Sequence, residues 1–152
     1  MGFAIMETKT VPAIRHQFKL NYPVEKVWNA VATSEGLAGW LMPNNFQPVI
    51  GGRFQFQSEP MGRWDGVVPT RLLELKKPTL LRMNWLLAGE YETTLSFELK
   101  PVGEENRATE LTITHSGWEN VPFEFAGLRQ VLDQGWGKHS VESLEEYLKQ
   151  QG

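Results

Sequence analysis

The residues whose charge changes near neutrality are His16, His115 and His139, and any acid–base or metal chemistry would start from them. They fall on two strand-like runs and one helical run, with no His-Glu-x-x-His or comparable spacing to put two ligands on one face. A core histidine satisfied by hydrogen bonds is the better reading of His16 and His115, and no metal is expected. Ser116 follows His115, but neighbours on a strand point to opposite faces, so adjacency makes no nucleophile–base relay. No Gly-x-Ser-x-Gly elbow is present, and Ser116-Gly117 reads as a strand end. Gly51-Gly52 lacks Walker spacing and a following lysine, so it reads as a turn rather than a phosphate cradle. Among the carboxylates, Glu104-Glu105 lies in a turn and Glu145-Glu146 on a helix flank, both solvated positions. Glu74, opposite Leu73 and Leu75, reads as exposed. No catalytic residue is assigned and no cofactor is expected.

What remains is a set of rings and one thioether. Phe54, Phe56, Trp64, Met83, Trp85, Phe97, Phe125 and Trp136 could line a hollow, with His115 and Tyr91, and His16 beside them, as polar handles. The same residues could equally fill a solid core, and both readings stand at this point. Composition narrows the field. The chain has 152 residues with 6 Trp, 8 Phe and 3 Tyr, and 41% of it is apolar, which excludes a disordered or low-complexity chain. A net charge of −3 gives no basic field for nucleic acid or an anionic membrane. Cysteine is absent, which removes disulfides, thiol catalysis and iron–sulfur clusters. No apolar run approaches 18 residues, no targeting signal opens Met1 to His16, and no asparagine begins a glycosylation sequon. A cytoplasmic protein, with residues 1–152 forming one domain, is expected.

The elements that must position those rings follow from periodicity. Ile14, His16, Phe18 and Leu20 alternate with Arg15, Gln17 and Lys19, the mark of a strand with one wet face. From Pro23 the period changes: Val24, Val27, Trp28 and Val31 form one helical stripe, with Pro23 suited to the first helical position. Thr33-Ser34-Glu35 caps a short second helix ending near Gly39-Trp40, and Pro43 blocks its continuation. Five further strands follow between Phe46 and His115. Phe54 and Phe56, then Leu81, Met83 and Trp85, then Leu95, Phe97 and Leu99, and then Leu111, Ile113 and His115 face inward. Pro69 interrupts the run from Val67 to Leu75 and marks an edge or a bulge. Short turns between alternating strands imply antiparallel hairpins. The last section is a helical run of roughly 25 residues with Phe125, Leu128, Leu132, Trp136, Leu144 and Leu148 on one stripe. Gly135 and Gly137 interrupt it, predicting a kink or close approach near Trp136. A sheet greasy on one side must bury that side, and this helix is the long amphipathic partner on offer. The expected class is α+β: a curved six-stranded antiparallel sheet around a long C-terminal helix, with two short helices between strands 1 and 2.

That order of elements resembles the helix-grip (SRPBCC) superfamily of START-like, polyketide-cyclase-like and birch-allergen-like domains. The branch it is most similar to is the C-terminal domain of the activator of the ninety-kilodalton heat-shock chaperone ATPase. The matching stretches are Pro-Val-Glu-Lys-Val-Trp-Asn-Ala-Val-Ala-Thr at 23–33, Gly-Leu-Ala-Gly-Trp at 36–40 and Gly-Gly-Arg-Phe at 51–54. Thr-His-Ser-Gly-Trp at 114–118 and Gly-Trp at 135–136, followed by Leu144 and Tyr147-Leu148, complete the set. The resemblance implies a cavity between sheet and helix that takes an apolar small molecule of the lipid, sterol, flavonoid or polyketide class. It also leaves two alternatives: a cyclase- or hydratase-type enzyme using His115 or Tyr91 in that cavity, and a chaperone-interacting protein of the stress response acting through its surface. The eponymous co-chaperone carries a further N-terminal domain that this chain is expected to lack. Binding of an apolar ligand ranks first because the sequence supplies an apolar wall and no recognisable catalytic set.

Overall fold

The computed structural model describes residues 11–151, so the reading of Met1 to Thr10 as free of a targeting signal lies outside the described residues. The chain opens with β1 (Ile14–Leu20), followed by α1 (Val24–Val31) and α2 (Ser34–Trp40). Pro23 caps α1 from outside, with ψ at 156°, rather than occupying its first turn. Its carbonyl accepts from the amides of Lys26 and Val27 at 3.0 and 3.2 Å, so the helical bonding begins there while the ring stays extended. Thr33 caps α2 as expected, its hydroxyl accepting from Gly36 N at 2.9 Å. The two helices close on each other at Gly36, where a β-carbon would stand 2.4 Å from the Asn29 carbonyl oxygen and 2.5 Å from that of Ala30. The indole of Trp40 fastens the pair by donating to Ala30 O at 2.7 Å.

Strands β2 (Arg53–Gln57), β3 (Val67–Lys76), β4 (Leu80–Leu87), β5 (Tyr91–Val102) and β6 (Ala108–Ser116) form an antiparallel meander. Strand β1 pairs with β6, Ile14 opposite His115, giving the order β1-β6-β5-β4-β3-β2 with β1 and β2 at the edges. The inward rows are those the alternation predicts, except on β3. There the register shifts between Leu72 and Glu74, a bulge that resets the faces. Leu72 is therefore fully buried and Leu73 exposed, while Glu74 is half-buried and paired with Arg82 instead of standing free in solvent. Pro69 explains a second irregularity. It pairs with Gln55 of β2, but pairing with β4 begins only at Thr70, so β3 has parted from β4 where proline has no N–H to donate.

The terminal run is one helix in three parts: α3 (Ala126–Gln134), a π-helical turn (Gly135–His139) and α4 (Ser140–Gln150). The expected close approach is at Gly137, where a β-carbon would lie 2.8 Å from Cε1 of His16. The helix stripe is covered unequally. Helix α4 lies against α1 and α2, burying Leu144 and Leu148, whereas the main contacts of α3 are with β1, the π-turn and the turn that precedes it. The core is tied together by rings in contact, edge to face except for the tilted pair Phe56–Trp85. Phe46, Phe54, Phe56, Trp85, Trp136, Phe97 and Trp40 follow one another with centroids 5.1–6.1 Å apart. Pairs of this kind contribute roughly 0.5–1.5 kcal/mol each beyond area burial.

Candidate functional site

Strand alternation sends Phe56, Met83, Phe97 and His115 to the inner face of the sheet, where all four are fully buried. Phe54 and Trp136 are buried with them, and these six side chains occupy the solid part of the interior. Trp85 is also buried but presents part of its ring to an open groove, which Trp64 and Phe125 line as well. Tyr91 stands outside the groove with its ring 5.4 Å from that of Phe125. Three of the ten candidates thus meet at one concave surface, six belong to packed interior, and Tyr91 backs the wall.

His115 has a complete and unambiguous set of partners. The indole of Trp136 is a donor only, and its Nε1 lies 3.2 Å from His115 Nδ1, which must therefore be the unprotonated acceptor. Nε2 then carries the proton and donates to Thr93 Oγ1 at 2.7 Å, and that hydroxyl donates onward to Trp85 O at 2.6 Å. Trp118 closes the cluster by donating from its indole to the His115 carbonyl at 2.9 Å, with its ring 4.8 Å from the imidazole. A second proton on the ring would face the Trp136 N–H and have no acceptor. Burial accordingly lowers the pKa of His115 to about 3. The imidazole is a neutral link between β6, β5 and the π-turn, not a poised acid or base. At Tyr91, desolvation first and then the carboxylates of Glu90 and Glu124 push the hydroxyl above the ordinary phenol value, which leaves it a neutral phenol.

The groove runs between α3 and the parted ends of β3 and β4, and encloses about 540 Å³. Its floor is Val68, Trp85, Leu86 and Leu87, and one wall is Phe125, Leu128, Val131 and Leu132. Met42 and the turn Met61–Trp64 complete the rim. Two causes already described produce it: β3 leaves β4 at Pro69, and α3 lacks the helical cover that α4 receives. The result is an apolar concavity of the size that takes a small molecule. Sequence reasoning missed Met42, Met61, Arg63, Val68, Leu86, Leu87, Ala88, Leu128, Val131 and Leu132 as lining residues. Leu128 and Leu132 lay on the recognised stripe and Pro69 marked the break, but the coincidence of the two is tertiary.

Elsewhere, His16 Nε2 lies 2.7 Å from Asp133 Oδ1 across a shallow surface hollow that includes Gly137, Lys138 and His139. Among the described residues no three His, Asp or Glu side chains cluster to hold a metal ion. No described helix is long and apolar enough to cross a membrane.

A curved meander closed over a terminal helix, with two short helices inserted after the first strand, defines a helix-grip protein. Solved structures agree on that architecture. Protein MLL2253 from Mesorhizobium loti superposes with a TM-score of 0.79 at 24% identity, over 93% of this chain and 99% of that one. Protein BH1534 from Bacillus halodurans is 33% identical, with a TM-score of 0.73 over 91% of this chain and 97% of its own. PFC0360w, an HSP90 activator from Plasmodium falciparum, has a TM-score of 0.70 at 18% identity over 90% of this chain and 96% of its own. No curated protein matches the sequence. The profile of the family described as Activator of Hsp90 ATPase homolog 1-like protein matches residues 21–149, and the chain belongs to that family.

Proposed function

We propose that the protein binds an apolar small molecule of the lipid, sterol, flavonoid or polyketide class in the groove between α3 and the β3–β4 opening. The observation that supports this most is the composition of the groove: twelve of the thirteen described residues that line it are apolar or aromatic. Burial of ligand surface supplies the affinity, at roughly 25 cal/mol per Å² before ordering costs are subtracted. The enzymatic alternative has less behind it, because His115 is sealed and neutral and Tyr91 is outside the groove. Thermal unfolding in the presence of fatty acids, sterols, flavonoids and polycyclic aromatics tests the proposal. A ligand at 100 times its dissociation constant stabilises by about 2.7 kcal/mol. Leu128→Trp, which fills the groove from α3, is expected to abolish that gain while the protein stays folded. A stabilisation that survives Leu128→Trp, or none from any class, contradicts the proposal.

A second reading, contact with an Hsp90-type chaperone, draws support from the family description and from Phe123, which stands 92% exposed just before α3. Phe123→Ser should then weaken binding to purified Hsp90 while leaving small-molecule stabilisation intact. Unchanged Hsp90 binding in that variant would remove Phe123 from the account.

A further inference from the structure

The groove is apolar with one exception. Among the thirteen described residues that line it only Arg63 is charged, and it is exposed at the rim rather than set in the floor. Its placement is built. Met61 and Trp64 exchange backbone hydrogen bonds of 3.0 and 2.9 Å, closing a tight turn with Gly62 at φ +61° and Arg63 at its tip. The turn is anchored in two further ways. Trp64 donates from its indole to Val67 O at 3.1 Å, and Asp65 accepts from Val67 N at 3.0 Å. Among the described residues the ion pairs fall elsewhere, on Asp133, Glu74 and Glu105, and none includes Arg63.

We infer that the groove selects ligands carrying one anionic group, with a ring-containing apolar body against Trp64, Trp85 and Phe125 and the anion held by Arg63 at the mouth. This rests on the groove being a binding site, and it adds a charge requirement that the apolar lining alone does not impose. A guanidinium presents a planar fork of donors matched to a carboxylate or sulfonate, and at the rim it does so without being taken out of water. A body-plus-anion ligand satisfies both surfaces at once. A neutral hydrocarbon leaves Arg63 unused, and a cation is repelled by it.

Two fluorescent probes with the same ring system separate the claims: 1-anilinonaphthalene-8-sulfonate, which is anionic, and N-phenyl-1-naphthylamine, which is neutral. Arg63→Gln is expected to weaken the sulfonate probe about five-fold and leave the neutral probe within about two-fold, with Arg63→Lys in between. Added salt should weaken the sulfonate probe alone in the wild type and lose that effect in Arg63→Gln. If Arg63→Gln changes both probes equally or neither, the anion selectivity is wrong while the groove stands. If neither probe binds, or the neutral probe binds unchanged in Leu128→Trp, the groove itself is wrong and the selectivity falls with it.

Discussion

His115 shows how a residue type that invites a catalytic reading is disarmed by its neighbours. The indole N–H of Trp136 fixes which ring nitrogen is bare, and Thr93 takes the proton on the other, so neither position is available to a substrate. Alternation along β6 placed His115 inward from sequence alone. Its partners came from β5 and the π-turn, 22 and 21 residues away, and no local pattern announces them. The network has a measurable consequence. With a pKa of about 3 in the folded protein against 6.5 unfolded, only the unfolded chain takes up a proton as pH falls through 6.5. The stabilisation is therefore complete above pH 6.5 and is lost progressively toward pH 3. About 2 kcal/mol should disappear between pH 6.5 and 5 in urea unfolding, before most carboxylates titrate. His115→Gln should be less stable at pH 7 but lack that portion of the slope. Equal slopes in the two proteins would show that the imidazole is not held neutral.

At the scale of elements, the terminal helix is the informative case. Two glycines close together in its middle warn of a local irregularity, and the structure separates their roles. Gly135 has helical angles and open space where a β-carbon would go, so Gly135→Ala should stabilise by about 0.5–1 kcal/mol through helix propensity. Gly137 faces the imidazole of His16, which is held by Asp133 and stacked on Phe18 with centroids 6.2 Å apart. Gly137→Ala should therefore destabilise the protein, by about 1 kcal/mol net of propensity. In a His16→Ser background the same change should become stabilising. Chemical denaturation of the four proteins reads the sign reversal, and a Gly137→Ala effect independent of residue 16 would refute the contact. Strands were legible for the same reason as this helix: period-2 runs with a single buried face leave little freedom of register. On β3 the period alone puts Leu73 and Leu75 on one face; the bulge adds a residue at Leu73 without changing composition, so the inward residue ahead of it is Leu72, while Glu74 and Leu75 keep the opposite faces expected of them.

For the molecule as a whole, the distribution of cover matters more than any motif. Helices α1 and α2 lie over α4 and leave α3 bare, while β3 and β4 part on the side that faces α3. The aromatic residues picked from the sequence divide along that boundary: rings under the covered half became core, and Trp64, Trp85 and Phe125 under the bare half became wall. Composition could not decide between core and cavity because the chain uses the same residue types for both. Nuclear magnetic resonance titration with N-phenyl-1-naphthylamine tests the resulting account most directly. The largest shifts are expected at the Trp64 indole N–H, the methyls of Met42 and Met61, and the methyls of Leu128 and Leu132, with the Trp136 indole N–H unmoved in its bond to His115. Shifts centred instead on Trp136 and Phe97, or on the hollow around His16 and Lys138, or absent throughout, would contradict it.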